Sequence, residues 1–297
     1  MPSAKTILFA ALGLVTVVFV AAWIRAARKE RRSGRPGPLG LAIGFVTNFF
    51  DTLGIGSFAP TTSIFKLKGL VPDERIPGTL NVGHALPTVV QALFSMAVIP
   101  VDVLTLFSMI AAAVLGAWLG AGIVCGWSKR KVQIGMGVAL LAAATFFTMK
   151  NLSLFPPGSD AIGVRGVQLI VAVAGNFLLG ALMSLGIGLY APCMVLVGLL
   201  GMSERTAFPI MMGSCAFLMP VGSLKFIKER AYSLRVALGL ALGGIPGVIV
   251  AAKIVQSLDL TTVRWLVIVV VLYTALTMLY SAFSERGSAP ETDGPKR

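Results

Sequence analysis

The sequence LGIGSFAP at residues 53–60 returns almost unchanged as LGIGLYAP at residues 185–192. Six of the eight positions are identical. Each copy lies inside a long apolar segment and combines two glycines with a proline. Glycine frees the backbone and proline removes a hydrogen-bond donor, so both copies predict a break in a helix.

Landmarks around the two copies recur at a nearly constant spacing of about 130 residues, which indicates an internal duplication. They are Glu74 and Arg75 with Glu204 and Arg205, Gly83 with Gly213, and the motif Gly116-x-x-x-Gly120 with Gly243-x-x-x-Gly247. We therefore predict two repeats, residues 39–150 and residues 163–283. Coincidental glycine motifs for helix packing are the alternative.

The composition places these repeats in a membrane. The 297 residues are 56% hydrophobic and 12% charged, with a mean hydropathy of +0.88. Soluble domains carry about 25% charged residues, and the apolar runs here are long enough to cross a hydrocarbon layer. A soluble enzyme, a disordered chain and a disulfide scaffold are excluded. The fold class predicted is an all-α integral membrane protein.

The net charge of +13 follows the positive-inside rule, because Lys and Arg lie almost wholly in loops; we expect no nucleic-acid partner. The apolar run Thr6–Ile24 is followed, not preceded, by basic residues up to Arg35, whereas a secretory signal has the reverse order. Residues 1–38 are therefore predicted to be an uncleaved first span, with its N-terminus outside, and a basic loop. The polar tail, residues 284–297, is predicted to be disordered.

The same rule decides between two topologies. If both glycine-broken segments are re-entrant hairpins, Lys and Arg concentrate on the cytoplasmic side more strongly than with nine plain spans. We therefore predict about seven full spans plus two re-entrant helical hairpins in a multi-pass plasma-membrane protein whose C-terminus is cytoplasmic. Each repeat is then one hairpin and three spans, an odd number of spans, so the repeats are inverted relative to each other.

Two broken helices that face each other would point free backbone N–H groups at one point in the membrane, which suits a small anion. A purely structural kink is the alternative. The substrate-binding residues predicted in the two motifs are Gly54, Gly56, Ser57, Phe58, Gly186, Gly188, Leu189 and Tyr190.

Five ionisable or polar residues outside the two motifs are further candidates. Asp51 is an acid well inside an apolar segment, where it could carry a coupling proton, help to hold a cation, or act as a structural acceptor. His84, with Asn81 three residues earlier on the same helical face, could bind substrate or exchange protons, or form an interhelical contact. Arg75 and Arg205 could attract anions at the two mouths or complete helix termini.

Metal sites and cofactors are not predicted. His84 is the single histidine, and the three cysteines, Cys125, Cys193 and Cys215, lie in apolar segments without a metal-binding or disulfide spacing.

The residues around the two motifs resemble those of a known family. Gly44-Phe45, the doubled LGIG motif and the prolines that follow it are similar to the TauE/SafE family of sulfite and organosulfonate permeases, over roughly residues 39–283. The usual family pattern has a third glycine where Ser57 and Leu189 stand. The resemblance implies a transporter of sulfite, sulfoacetate or related small anions.

The function predicted is a secondary transporter, in the direction of export, that moves a small sulfur-containing anion by alternating access and is not an enzyme. A passive anion channel is one alternative. An integral-membrane lipid phosphatase is another, but all six Glu lie in loops or tails, whereas that chemistry needs several acids at the hairpins. The expected partners are the anion and the lipid bilayer. The Gly-x-x-x-Gly faces could pack within one protomer or form a homodimer.

Overall fold

The computed structural model describes residues 4–29, 36–154, 160–186, 188–254 and 260–284. The regular elements in these ranges are α-helices apart from a single short 3₁₀ turn, which confirms the all-α class. The helices are α1 (Ala4–Lys29), α2 (Pro38–Thr52), α3 (Phe58–Lys68), α4 (Ile76–Val98), α5 (Val103–Val124), α6 (Lys129–Asn151), α7 (Gly166–Met183), α8 (Tyr190–Leu199), α9 (Glu204–Lys228), α10 (Leu234–Ile254) and α11 (Leu260–Ser284).

Several helices are long and apolar enough to cross a membrane, so the chain is a multi-pass membrane protein. Five segments of the described ranges meet this condition: Lys5–Lys29, Val103–Val124, Gly166–Met183, Arg205–Lys228 and Leu234–Lys253. Helix α4 has the length of a span, but its polar residues Asn81, His84 and Gln91 lower its hydropathy. The count of seven spans and two hairpins stays a prediction.

Both helix breaks lie where the sequence predicts them. Helix α2 ends at Thr52 and α3 begins at Phe58, while α7 ends at Met183 and α8 begins at Tyr190. In between, Gly54, Gly56 and Gly186 have φ angles of 85°, 87° and 95°. Residues with a side chain rarely adopt these angles, so the turns depend on glycine.

The two ends of the second broken segment lie side by side. Ala161, shortly before α7, forms a β-bridge with Met202, just after α8, and the backbone N–H of Ser203 donates to the carbonyl of Ala161 at 2.9 Å. The chain therefore returns to its starting point after the break. This is the arrangement expected of a re-entrant hairpin.

In the first half, the starts of α2 and α4 both lie beside the start of α10. Gly37, before α2, lies against the guanidinium group of Arg235 near the start of α10. The backbone N–H of Ser233 donates to the hydroxyl of Thr79 near the start of α4, at 2.9 Å. The start of α10 thus contacts the chain both before α2 and after the segment that contains α3.

The starts of α5 and α7 are joined by an ion pair. Both oxygens of Asp102 accept hydrogen bonds from Arg165, at 2.6 Å each, and one of them also caps α5 by accepting from the backbone N–H of Thr105. The contact with Arg165 holds the pKa of Asp102 well below its usual range. The starts of the two helices therefore belong to the same face of the molecule.

The helices of one half pack mainly on those of the other, in matched pairs. Helix α2 packs on α10 and α7 packs on α5, while α4 pairs with α9 and α6 with α11. Helices α2–α6 correspond in order to α7–α11. Exchanging the two sets turns the α2–α10 pair into the α7–α5 pair and leaves the α4–α9 and α6–α11 pairs unchanged. This is the pattern expected for two repeats of the same plan.

The Gly-x-x-x-Gly motifs make two of these pairings possible. Gly116 and Gly120 of α5 lie directly on the backbone of α7 at Phe177 and Ala181. In the other half, Gly243 and Gly247 of α10 lie in the same way on the backbone of α2, at Leu41 and Phe45. The motifs therefore act within one protomer, and the homodimer is an untested expectation.

Candidate functional site

The tips of the two broken segments line a small cavity. It leaves about 10 Å³ for the centre of a water-sized molecule, which is roughly the room needed for one water. The cavity is thus closed around a space smaller than an oxyanion. Its lining residues are Asp51, Gly56, Ser57, Phe58, Thr88, Met183, Gly188, Leu189, Tyr190, Cys215 and Met219.

Two helix N-termini contribute to this lining. Ser57 and Phe58 lie at the start of α3, and Leu189 and Tyr190 lie at the start of α8. Among the described residues, no side chain caps either helix through a hydrogen bond. The first N–H groups of a helix lack intrahelical partners and carry partial positive charge, so both starts are suited to an anion.

Asp51 lies at the end of α2 with 3% of its surface exposed. Its Oδ2 accepts a hydrogen bond from Nε2 of Gln91 on α4, at 2.8 Å. The backbone N–H and the hydroxyl of Ser57 also face this carboxyl group. Asp51 therefore already uses donors at the start of α3.

A hydrogen-bonded chain joins residues of the two halves beside the cavity. The hydroxyl of Tyr190 donates to Oε1 of Gln91 at 2.6 Å, and Nε2 of the same side chain donates to Asp51 and, at 3.1 Å, to the hydroxyl of Thr52. The orientation of the Gln91 amide is fixed by these partners, since its oxygen accepts and its nitrogen donates. Gln91 thus links the tip of the second segment to the acid of the first.

The structure brings together most, but not all, of the residues predicted to bind substrate. Those that line the cavity with Asp51 are Gly56, Ser57, Phe58, Gly188, Leu189 and Tyr190. Gly54 lies instead beside the ring of Phe208, and Gly186 beside Met136. These two glycines shape the turns and do not line the cavity.

His84 is placed outside the cavity lining and is fully hydrogen-bonded. Its Nδ1 lies 3.1 Å from Oδ1 of Asn48, and its Nε2 lies 3.1 Å from the hydroxyl of Thr61. The amide nitrogen of Asn48 donates to the carbonyl of Gly44, so Oδ1 is the acceptor and Nδ1 of the imidazole carries a proton. A neutral imidazole then accepts from Thr61 through Nε2. His84 thereby joins α2, α3 and α4.

Asn81 is likewise engaged with backbone. Its Nδ2 donates to the carbonyl of Pro77 at 2.9 Å and to that of Met183, at the end of α7, at 3.3 Å. Asn81 therefore fixes the position of α7 beside α4, next to Met183 of the cavity wall.

Sequence reasoning did not select Gln91, Thr88, Met183, Cys215 or Met219 as site residues. A signal for two of them was present in the spacing of the polar residues on α4, where Asn81, His84, Thr88 and Gln91 follow one another at intervals of three or four. Such intervals place residues on one face of a helix. The three sulfur-containing side chains give no such signal, because they have the pattern of ordinary core residues.

Arg75 and Arg205 lie away from the cavity, exposed at the starts of α4 and α9. The residues that line the cavity include no Lys or Arg. Any positive potential there comes from backbone dipoles.

The closed cavity between helix breaks, inside a bundle of matched helices, is characteristic of membrane transporters built from repeats. Comparison with known proteins agrees, over part of the chain, with the resemblance seen in the doubled motif. Residues 168–297 match the family model described as sulfite exporter TauE/SafE, so this part of the chain carries the signature of a membrane transporter family. No curated protein and no solved structure gives a significant match.

Proposed function

We propose that this protein is a secondary transporter, working as an exporter, for a small sulfur-containing anion such as sulfite or an organosulfonate. The anion is held by backbone N–H groups where the starts of α3 and α8 meet, and Asp51 couples transport to a second ion. The observation that supports this most directly is the cavity itself, which has two helix starts in its wall and no cationic side chain.

Backbone dipoles suit the task of a carrier, which must release what it binds. A buried Lys or Arg would hold an anion strongly and would be costly at membrane depth. Helix N-termini supply weaker, fixed donors that need no counter-charge. The anion can therefore enter and leave with modest changes in free energy.

Alternating access requires that the cavity opens to each side in turn. In the form described above, the Tyr190–Gln91–Asp51 chain joins two residues of the cavity wall. We propose that this chain separates on one side of the cycle as the two inverted repeats move relative to each other. A passive channel is the alternative, and it would need a continuous path through the protein.

The topology that goes with this mechanism is seven spans and two re-entrant hairpins, with the N-terminus outside and the C-terminus in the cytoplasm. Single cysteines placed near Lys68 and near Lys129 should then both react from the cytoplasmic side. The described contacts support this, because Asp73, just after α3, receives hydrogen bonds from Lys66 and from Gln133 near the start of α6, at 2.7 and 2.8 Å. Labelling of the two positions from opposite sides would contradict the hairpin of the first repeat.

The function is tested by ligand-induced thermal stabilisation of the purified protein. Sulfite, sulfate, sulfoacetate, taurine, thiosulfate and carboxylate analogues are compared, because a ligand that binds the folded state raises the melting temperature by mass action. The best ligand is then tested in proteoliposomes for counterflow, which a carrier shows and a channel does not. Stabilisation by none of these anions would contradict the proposal.

A matched pair of variants locates the anion. Gly188→Val places a branched side chain in the cavity wall, and we expect it to weaken binding sharply. Gly13→Val on α1 is the control, since a side chain there meets no neighbouring atom within 4 Å. Equal affinity in the two folded variants would place the anion elsewhere, with Arg75 and Arg205 as the next candidates.

A further inference from the structure

We propose that the anion binds together with a proton, because the cavity can hold the anion only when the carboxyl group of Asp51 is neutral. Proton and anion then cross the membrane in the same direction, as a symport. This inference rests on the proposed function and specifies the form of its coupling.

The first step is the charge balance of the cavity. Asp51 and the anion share one small enclosed space, and the groups that face Asp51 come from all the surrounding helices: Gln91 and Thr88 of α4, Ser57 at the start of α3, Tyr190 of α8, and Cys215 and Met219 of α9. Among these, only Tyr190 and Cys215 are titratable, and neither can become a cation. Nothing in the cavity lining could therefore neutralise two negative charges.

The second step is the size of the repulsion. Two unit charges about 4 Å apart, at the effective dielectric constant of about 20 that describes protein sites, repel each other strongly enough to weaken binding about a thousandfold. The partial charges of two helix starts are already needed for the anion itself. An ionised Asp51 would thus exclude a second anion from the cavity.

The third step is competition for donors. The backbone N–H and hydroxyl of Ser57 face the carboxyl group of Asp51, and they are the same donors that the proposed anion would use. An ionised carboxylate retains them. A protonated carboxyl group is a weaker acceptor and releases them.

The geometry also provides a place for the proton. Oδ2 of Asp51 accepts from Gln91, which leaves Oδ1 to form the O–H bond with a proton taken from solvent. That O–H group can then donate to the bound anion. The protonated acid thus changes from a competing anion into a donor, and the proton leaves when the anion leaves.

A consequence for transport follows from this balance. A singly charged anion that moves with one proton carries no net charge, so its flux should respond to a pH gradient and not to the membrane potential. Export then requires an outward gradient of the anion, of protons, or of both.

The test is isothermal titration of the full-length protein with methanesulfonate and with 2-hydroxyethanesulfonate, organosulfonates that keep a single negative charge between about pH 5 and pH 8. At a pH where Asp51 is ionised in the free protein, we expect the wild-type protein to take up about one proton for each anion that it binds. The number of protons is obtained from the heat of binding in buffers of different ionisation enthalpy. Affinity should fall in that pH range by up to tenfold per pH unit. In Asp51→Asn, we expect binding without proton uptake and without this pH dependence.

Asp160→Asn is the control, because it removes an exposed acid outside the cavity and should leave the wild-type profile unchanged. Anion binding by the wild-type protein with no proton uptake at any pH would overturn the symport while leaving the proposed function intact. An equal pH dependence in Asp51→Asn would overturn the role of Asp51. If neither of these two anions and none of the panel used for thermal stabilisation bound at any pH, both the proposed function and the inference would be wrong. The proton count on the wild-type protein decides the matter even if Asp51→Asn does not fold.

Discussion

The two halves of the molecule present the same backbone break to the cavity but different side chains. In the first half the break follows Asp51, whose counterpart in the second half is Met183. The thioether sulfur of Met183 lies 3.5 Å from the thiol sulfur of Cys215. The polar Gln91 likewise corresponds to Val221. The backbone break is shared, whereas the acid Asp51 and its amide partner Gln91 belong to the first half. Under the proposed function, both halves therefore bind the anion and only the first half couples its transport.

A second comparison concerns the polar contacts that hold each broken segment. In the first half, Asn48 of α2 bonds to His84 of α4 at 3.1 Å. In the second half, Asn176 of α7 bonds to Ser214 of α9 at 2.9 Å, and to the carbonyl of Met109 at 2.8 Å. Gly83 and Gly213 precede His84 and Ser214, so the partners on α4 and α9 are equivalent. The counterpart of Asn176 in the first half is Gly44, one helical turn before Asn48. The two halves thus link equivalent helices from positions one turn apart.

The largest effect is expected at the glycines that the halves share. Gly116→Leu and Gly243→Leu each place a side chain against the backbone of the facing helix, so both should destabilise the protein by about 3 kcal/mol or more. The readout is the loss of folded, monodisperse protein and a lower melting temperature. Gly13→Leu is the matched control. A large effect at one site and none at the other would break the equivalence of the two packings.

This equivalence was largely predictable from the sequence. The doubled LGIG motif located both breaks, and the two Gly-x-x-x-Gly motifs indicated close packing. What could not be predicted was the partner, because a small-residue face is compatible with any helix that approaches closely. Only the folded chain reveals that the Gly243 face contacts the opposite half at Leu41.

A smaller and asymmetric effect is expected where the halves differ. His84→Leu leaves the side chains of Asn48 and Thr61 without their partner, and each such buried group costs about 1–3 kcal/mol. Ser214→Ala should cost less, about 1 kcal/mol, because Asn176 still donates to the carbonyl of Met109. Thermal unfolding in the same detergent compares the two. Equal losses would mean that the two links are energetically alike.

The role of His84 shows where reasoning from sequence ends. A lone histidine on a membrane helix is compatible with substrate binding and with an interhelical contact, and spacing alone does not distinguish them. The structure places both ring nitrogens against Asn48 and Thr61, and this depends on how α2 and α3 cross α4. Gln91 could not be selected as a site residue for the same reason. Its hydrogen bond with Tyr190 joins two residues that are far apart along the chain.

A third difference is the hydroxyl group that Tyr190 has and its counterpart Phe58 lacks. Tyr190→Phe removes the bond to Gln91, which closes the cavity, and should raise the open population about tenfold, the equivalent of about 1.4 kcal/mol. Cys215 lines the cavity and reports opening through its rate of thiol modification. Cys193 is equally buried but lies outside the lining, so it serves as the internal reference in a Cys125→Ala background.

In that experiment the modification of Cys215 should accelerate while that of Cys193 stays unchanged. Equal acceleration of both thiols would mean general loosening of the helices, and no acceleration would mean that the bond does not hold the cavity closed.

The smallest effect concerns Ser57, whose counterpart Leu189 offers the cavity a backbone but no hydroxyl. If backbone N–H groups supply most of the binding free energy in both halves, Ser57→Ala should weaken anion binding by only about 1 kcal/mol, or roughly fivefold, the net value of one hydrogen bond. Isothermal titration measures the loss of affinity at a pH where Asp51 is already protonated, so that the coupling proton does not contribute to the result. Leu189→Ala, which removes no donor, is the matched control in the second half. A loss of a hundredfold or more in Ser57→Ala alone would show that the first half holds the anion through its side chain, and the two helix starts would then be unequal partners.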